Sequence, residues 1–219
     1  NNISNLNIVT VFLIGMNILV SFKGFNDFLF FEKYKFNIGG IKKGEQTRFL
    51  ISGFLHVDQA HLFFNLFTLY FFADVVIYFL GPLNFLIIYF GSLIAGNLVS
   101  FYFHKNQNNY SAVGASGAIT GVLYSAILLN PDMELFVMFI PIPIPAYLFG
   151  IGYLLYSLYG MKKNIGNIGH DAHFGGAIGG YVLTLTLASW VFHENLMMVL
   201  LLALPIVLLF ILNRTNYLS

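Results

Sequence analysis

Four side chains in this 219-residue chain have types and spacings that could act together: His61, Asn65, Ser116 and His173. Ser116 sits in the run Gly114-Ala115-Ser116-Gly117, and His173 closes His170-Asp171-Ala172-His173. His61 and Asn65 are i and i+4, so on a helix they project from one face. A hydroxyl held within hydrogen-bond reach of an imidazole is a serine activated for nucleophilic attack. The same residues permit two other chemistries. His56-x-Asp58-x-x-His61 and His170-Asp171-x-His173 offer imidazole and carboxylate ligands suited to zinc or iron. A chain of His and Asp inside a membrane could also relay protons in a transporter. The plainest reading is packing: a serine among glycines, and a His and an Asn that bridge helices.

The elements that carry these residues are set by composition. Hydrophobic residues make up 58% of the chain and charged residues only 9%. Soluble domains run near 45–50% and about 25%. Ten basic and nine acidic side chains cannot cover a chain of this size in water. A soluble domain, a disordered segment and a nucleic-acid binder are excluded together, and a formal net charge of +1 favours no charged partner. With no cysteine, disulfides, thiolate metal sites and a cysteine nucleophile are excluded as well. The chain reads as an all-α polytopic membrane protein, since its apolar runs are continuous rather than the short alternating segments of a membrane barrel.

Taking about 20 apolar residues per crossing, the sequence predicts spans at 6–22, 54–80, 83–103, 115–129, 139–160, 171–191 and 196–212. Gly81-Pro82 separates the second from the third. The first apolar segment has no basic n-region and no small-residue cleavage site, so it reads as a span and not as a cleaved leader. The polar clusters fall on the second, fourth and sixth spans. On the sixth, His173, Gly176 and Gly180 form one stripe, and Gly176–Gly180 is a G-x-x-x-G pair; Gly117–Gly121 on the fourth is another. Such ridges let helix backbones approach closely in lipid. Packed along them, the fourth and sixth spans would bring Ser116 to His173. The fourth span, 115–129, is also short, about 22 Å at 1.5 Å per residue against a hydrocarbon core of about 30 Å. Its N-terminus would then open at the floor of a wet cavity, where free backbone N–H groups and the helix dipole suit a developing oxyanion.

These motifs resemble the rhomboid family of intramembrane serine proteases. The residues that carry the resemblance are His61-x-x-x-Asn65, Gly114-Ala115-Ser116-Gly117 and Ala172-His173-x-x-Gly176-x-x-x-Gly180, in that order on the second, fourth and sixth spans. Arg48 fits the family's first-loop arginine and His56 a further family histidine. The resemblance implies a six-helix core over 1–191, with 192–219 as one additional C-terminal transmembrane helix. It implies Ser116 as nucleophile and His173 as general base, a dyad with no acidic third member. The oxyanion would be held by the Ser116 N–H with the His61 and Asn65 side chains. Gly114 would allow close approach of substrate, Gly117 would serve packing, and Arg48 and His56 would tie the first loop to the second span. Transmembrane segments of other proteins would be the substrates and the lipid bilayer the medium, with no cofactor, no metal and no nucleic acid. The fifth span and the run Pro141-Ile142-Pro143-Ile144-Pro145, itself a turn, would be the mobile parts that admit substrate.

Three positions depart from the family pattern: Thr47 stands where a Trp is common, Thr120 where a Tyr often stacks on the base, and Ile77 where an acid is frequent. Asp58 and Asp171 read as helix caps. Neither rival chemistry shows its signature: no H-E-x-x-H is present, since Met197 stands where His193-Glu194 would need its second His, and the halves share no repeat. The Lys and Arg residues fall in alternate connections, which by charge would be cytoplasmic. The resemblance puts that side, with the active-site mouth, away from the cytoplasm, in a bacterial inner membrane, and the family's placement is the one adopted.

Overall fold

A computed structural model describes residues 7–135, 142–163 and 169–215. The first helix, α1 (Ile8–Asn26), starts under an Asn7 side chain that accepts from the Val9 N–H. The first loop is folded, and holds α2 (Phe28–Tyr34), the two-residue strand β1 (Phe36–Asn37), α3 (Ile38–Lys42), α4 (Arg48–Ile51) and a 3-10 turn at Ser52–Phe54. Asp58 then caps α5 (Gln59–His104), its carboxylate accepting from the His61 N–H at 2.7 Å. The second span therefore begins at Gln59 and not at Phe54. The apolar stretch before it is buried loop, which hydropathy alone reads as helix.

A straight helix of 46 residues would be about 69 Å long. Yet His61 near the start of α5 and His104 at its end line the same cavity. The chain doubles back at Gly81, whose φ of +80° is a backbone conformation that glycine adopts freely and Pro82 then follows. Two membrane-crossing lengths thus lie within α5, as the Gly81-Pro82 pair predicts.

Beyond α5 come β2 (Ser111–Ala112), α6 (Ser116–Leu129), β3 (Glu134–Leu135), β4 (Ile144–Pro145), α7 (Ala146–Lys163), α8 (His170–Leu187), α9 (Val191–Glu194) and α10 (Leu196–Arg214). Pro143 and Pro145 lack the N–H a helix needs, so α7 starts only at Ala146. The last two residues of the proline run form a strand: Ile144 and Pro145 pair antiparallel with Leu135 and Glu134, where the sequence predicts a turn. Phe139 to Pro141, the expected start of the fifth span and of that run, lie outside the described residues. The chain is a multi-pass integral membrane protein: α1, α5 and α10 are long and apolar enough to cross, and their large side chains (Phe12, Phe63, Leu204) are exposed as lipid-facing groups must be.

The short helix α6 is the hub, with every residue from Gly117 to Leu129 buried. Helices α5, α6 and α8 make the densest mutual packing, with α7 against α8 and α10 against α7, α9 and α6. The α6–α8 contact runs along the two glycine ridges. A Cβ at Gly176 would collide with the Gly117 backbone, and one at Gly180 with the Gly121 backbone. The opposite glycines of α8 face α5, where Gly175 lies against the Ala95 carbonyl and Gly96. Even a methyl has nowhere to go at Gly176, and overpacking of that kind costs at least about 1–3 kcal/mol. Gly176→Ala is expected to lower the thermal midpoint in detergent, whereas Gly152→Ala, which meets nothing within 4 Å, leaves it unchanged. Equal midpoints for both variants would refute the ridge contact.

Candidate functional site

The cavity that the fold leaves at the N-terminal end of α6 has a volume of about 1270 Å³. His61, Asn65, Gly114, Ser116, Tyr153 and His173 all line it. Its floor is set by Ser116, the first residue of α6, whose leading N–H groups have no intrahelical acceptor. The loop before Ser116 is braced from two sides. β1 pairs antiparallel with β2, Phe36 opposite Ala112 and Asn37 opposite Ser111. The Gly114 N–H donates to the Ser52 carbonyl at 3.1 Å. Gly114 has φ +133°, which L side chains rarely adopt, and a Cβ there would meet the His61 ring. The position requires glycine for both reasons.

Ser116 Oγ and His173 Nε2 are 2.9 Å apart. They come from α6 and α8 and meet where the glycine ridges bring those helices together, with His173 only 4% exposed. His61 presents its ring beside Gly114 on the cavity wall. Asn65, one turn on, is 7% exposed, and its Nδ2 has no hydrogen-bond partner among the described residues. It faces the same space as Ser116. Gly117 packs against the Ala172 carbonyl of α8, so it serves the helix contact and lies outside the cavity lining.

Arg48 and His56 both make structural contacts, and of the two His56 is the one that reaches the second span. Arg48 donates to the Glu32 and Lys35 carbonyls at 2.9 and 2.7 Å and pairs with Glu45 at 2.5 Å. It staples the first loop to itself, and among the described residues its bonds go to Glu32, Lys35 and Glu45 and none to α5. His56 Nδ1 meets Ser21 Oγ of α1 at 2.8 Å, and its ring stands edge-on to His61 at 4.9 Å. It joins the loop to α1 and supports His61 from behind.

Asp171 also differs from its reading as a cap. Gly169 occupies the N-cap position of α8, and Asp171 lies inside the first turn, buried. Its carboxylate is 3.5 Å from His104 Nε2 and accepts from the Tyr110 hydroxyl at 3.4 Å, while the His104 and Tyr110 rings stack at 3.6 Å. Burial, reinforced by the Asp171 charge, pushes the Tyr110 phenol above its ordinary range, so it remains a donor. This cluster ties the end of α5, the loop before Ser116 and the start of α8 into one support. His170 stands apart from the pair: its ring lies 6.1 Å from that of His173 and packs on Tyr156.

One residue at the site escapes sequence reasoning. Tyr153 of α7 lays its ring against His173, centroids 5.2 Å apart, with its hydroxyl over the imidazole, 2.9 Å from Nδ1 and 3.4 Å from Nε2. No local spacing links positions 153 and 173. The available signal was Thr120, a small residue where an aromatic partner for the imidazole was expected. Among the described residues no three His, Asp or Glu side chains converge as metal ligands. Asp58, one of the acids that a metal reading needs, is engaged in capping α5.

Residues 43–190 match the sequence model of the Rhomboid domain. The RHOMBOID-like protein 12, mitochondrial, of Arabidopsis thaliana is 26% identical over 175 residues, which is 73% of this chain and 52% of that protein. Rhomboid protein 1, mitochondrial, of Saccharomyces cerevisiae is 30% identical over 59% of this chain and 38% of its own length. Rhomboid protease GluP of Bacillus subtilis is 33% identical over 64% of this chain and 26% of its own. The chain spans from about a quarter to about half of these relatives' length. They divide between mitochondrial and bacterial proteins, so the expected bacterial inner membrane gains no support from them.

Proposed function

Since the chain belongs to the rhomboid family, we propose that it is an intramembrane serine endopeptidase that cleaves transmembrane segments of other membrane proteins. The observation that carries the reading is the 2.9 Å approach of Ser116 Oγ to His173 Nε2 at the base of a cavity opening within the helical bundle. Residues 1–191 form the catalytic core in this reading, with α10 as an added span.

The chemistry follows from what lines the cavity. A peptide bond in a membrane helix is protected because its carbonyl is hydrogen-bonded and water is excluded. The cavity admits water, and a substrate segment weakened by glycine or other poor helix formers extends into it. Ser116 Oγ attacks the scissile carbonyl as its proton passes to His173 Nε2. The negative charge that develops on the carbonyl oxygen is met by the Ser116 N–H and by the side chains of Asn65 and His61. The tetrahedral intermediate collapses as His173 gives that proton to the departing amine, leaving an acyl-enzyme. Water then attacks the ester with His173 again as base, and Ser116 is regenerated.

The test is covalent labelling of purified protein in detergent with a fluorophosphonate probe. Modification is expected on Ser116 alone of the chain's serines, mapped by mass spectrometry of the labelled peptide. A wild-type protein that stays unlabelled while properly folded, or one labelled at another serine, would sink the assignment.

A further inference from the structure

We propose that the first loop holds a binding site for the phosphate of an anionic glycerophospholipid, in a second cavity of about 450 Å³ whose lining includes Lys42, Lys43, Asn37 and Asn108. The site goes beyond the hydrolase reading and does not depend on it.

The first ground is charge. A net charge of +1 averages over an uneven distribution, for residues 23–48 hold six of the ten basic side chains and only three acids. Each acid is already matched: Asp27 with Lys23, Glu32 with Lys35 and Glu45 with Arg48. Lys33, Lys42 and Lys43 are left over, exposed and with no acidic partner among the described residues. Surplus ammonium groups on one short loop repel one another unless an anion lies between them. Two of the three, Lys42 and Lys43, line the same cavity. Lys42 donates to Asn108 Oδ1 at 3.0 Å, which leaves two of its three N–H donors for a ligand. The Lys43 ammonium has no bond among the described residues. The one acid in the lining, Glu45, is neutralised by Arg48 and does not cancel the two lysines.

The second ground is what surrounds the cavity, and it names the source of the anion. α2 lies in the loop, outside the crossing helices, yet Phe28 and Leu29 at its start are 73% and 79% exposed. Large apolar side chains so placed on a membrane protein sit at the boundary of the acyl chains. Arg48, in the cavity lining, holds the other end of α2 through the Glu32 and Lys35 carbonyls. Apolar anchor and cationic cavity thus belong to one folded unit, and its lysines stand at the level of the lipid phosphates. A zwitterionic headgroup would bring its own cation toward the surplus lysines. An anionic headgroup brings the phosphate charge without one.

The test uses the purified full chain in dodecyl maltoside, titrated with phosphatidylglycerol or with phosphatidylcholine of the same acyl chains. Bound lipid is counted by native mass spectrometry. Wild type should bind phosphatidylglycerol about thirtyfold more tightly, at about fivefold for each lysine. Lys42→Gln/Lys43→Gln should bring the two lipids level, and Lys43→Gln alone, which has no bond to lose, should remove about fivefold. The charge-matched Lys163→Gln/Arg214→Gln protein, altered at the ends of α7 and α10, should keep the full preference. Inorganic phosphate at ten times the lipid concentration should leave the lipid bound, having no acyl chains for Phe28 and Leu29 to hold. Equal binding of the two lipids by wild type overturns the proposal, as does a preference that survives in Lys42→Gln/Lys43→Gln. An equal loss in the charge-matched protein would reduce the site to diffuse surface charge, and displacement by inorganic phosphate would assign it to a free anion. Either result also overturns it.

Discussion

Ser116→Ala is expected to reduce cleavage of a transmembrane substrate in proteoliposomes to background, a fall in kcat of at least about 10⁴-fold. His173→Ala should fall as far, and the double variant no further. The reason is geometric. Oγ and Nε2 are 2.9 Å apart and in the proposed mechanism act on one proton, so removing either partner removes the whole step, and penalties that belong to one event do not add. Neither substitution should disturb the fold, since the glycine ridges and not these two side chains hold α6 to α8. Substrate binding measured by co-purification should therefore survive in both. Double-variant losses that multiply would mean the two residues serve separate steps, and retained cleavage in Ser116→Ala would reopen the choice of nucleophile.

How much of this was legible beforehand depends on whether the signal was local. Hydropathy and the Gly81-Pro82 pair gave the helices, and the paired G-x-x-x-G spacings on two of them gave the contact that brings Ser116 to His173. Those are short-range patterns with a fixed period. The misplaced starts have two local causes that hydropathy does not see: Asp58 caps a new helix at Gln59, leaving the apolar residues before it outside that helix, and Pro143 and Pro145 have no N–H to donate, so α7 begins at Ala146. Asp171 looked like a cap because it sits near a helix start. Its partners, His104 and Tyr110, are more than sixty residues away and could be paired with it only in three dimensions. Tyr153 was missed for the same reason. What the sequence offered there was a gap at Thr120, and a gap does not say which residue fills it.

Asn65→Ala is the variant that separates catalysis from stability most sharply. The Asn65 Nδ2 lies on the cavity lining and bonds to no other group among the described residues, so it is available to an acceptor that enters the cavity. In the proposed mechanism that acceptor is the oxyanion formed above Ser116. Deleting it should lower kcat by about 10²–10³-fold, the usual effect of losing one preorganised donor to an oxyanion. The thermal midpoint should stay the same, since Nδ2 holds no bond to the rest of the described fold. Asn65→Asp has the same shape but places negative charge where the oxyanion forms, and should be at least as inactive. Labelling of Ser116 by the phosphonate, which builds a similar charged oxygen, should slow in parallel with kcat. An Asn65→Ala protein that cleaves at the wild-type rate would assign the oxyanion to His61 and the Ser116 N–H alone. One that loses stability along with activity would make Asn65 a packing residue, contrary to the free donor that singles it out.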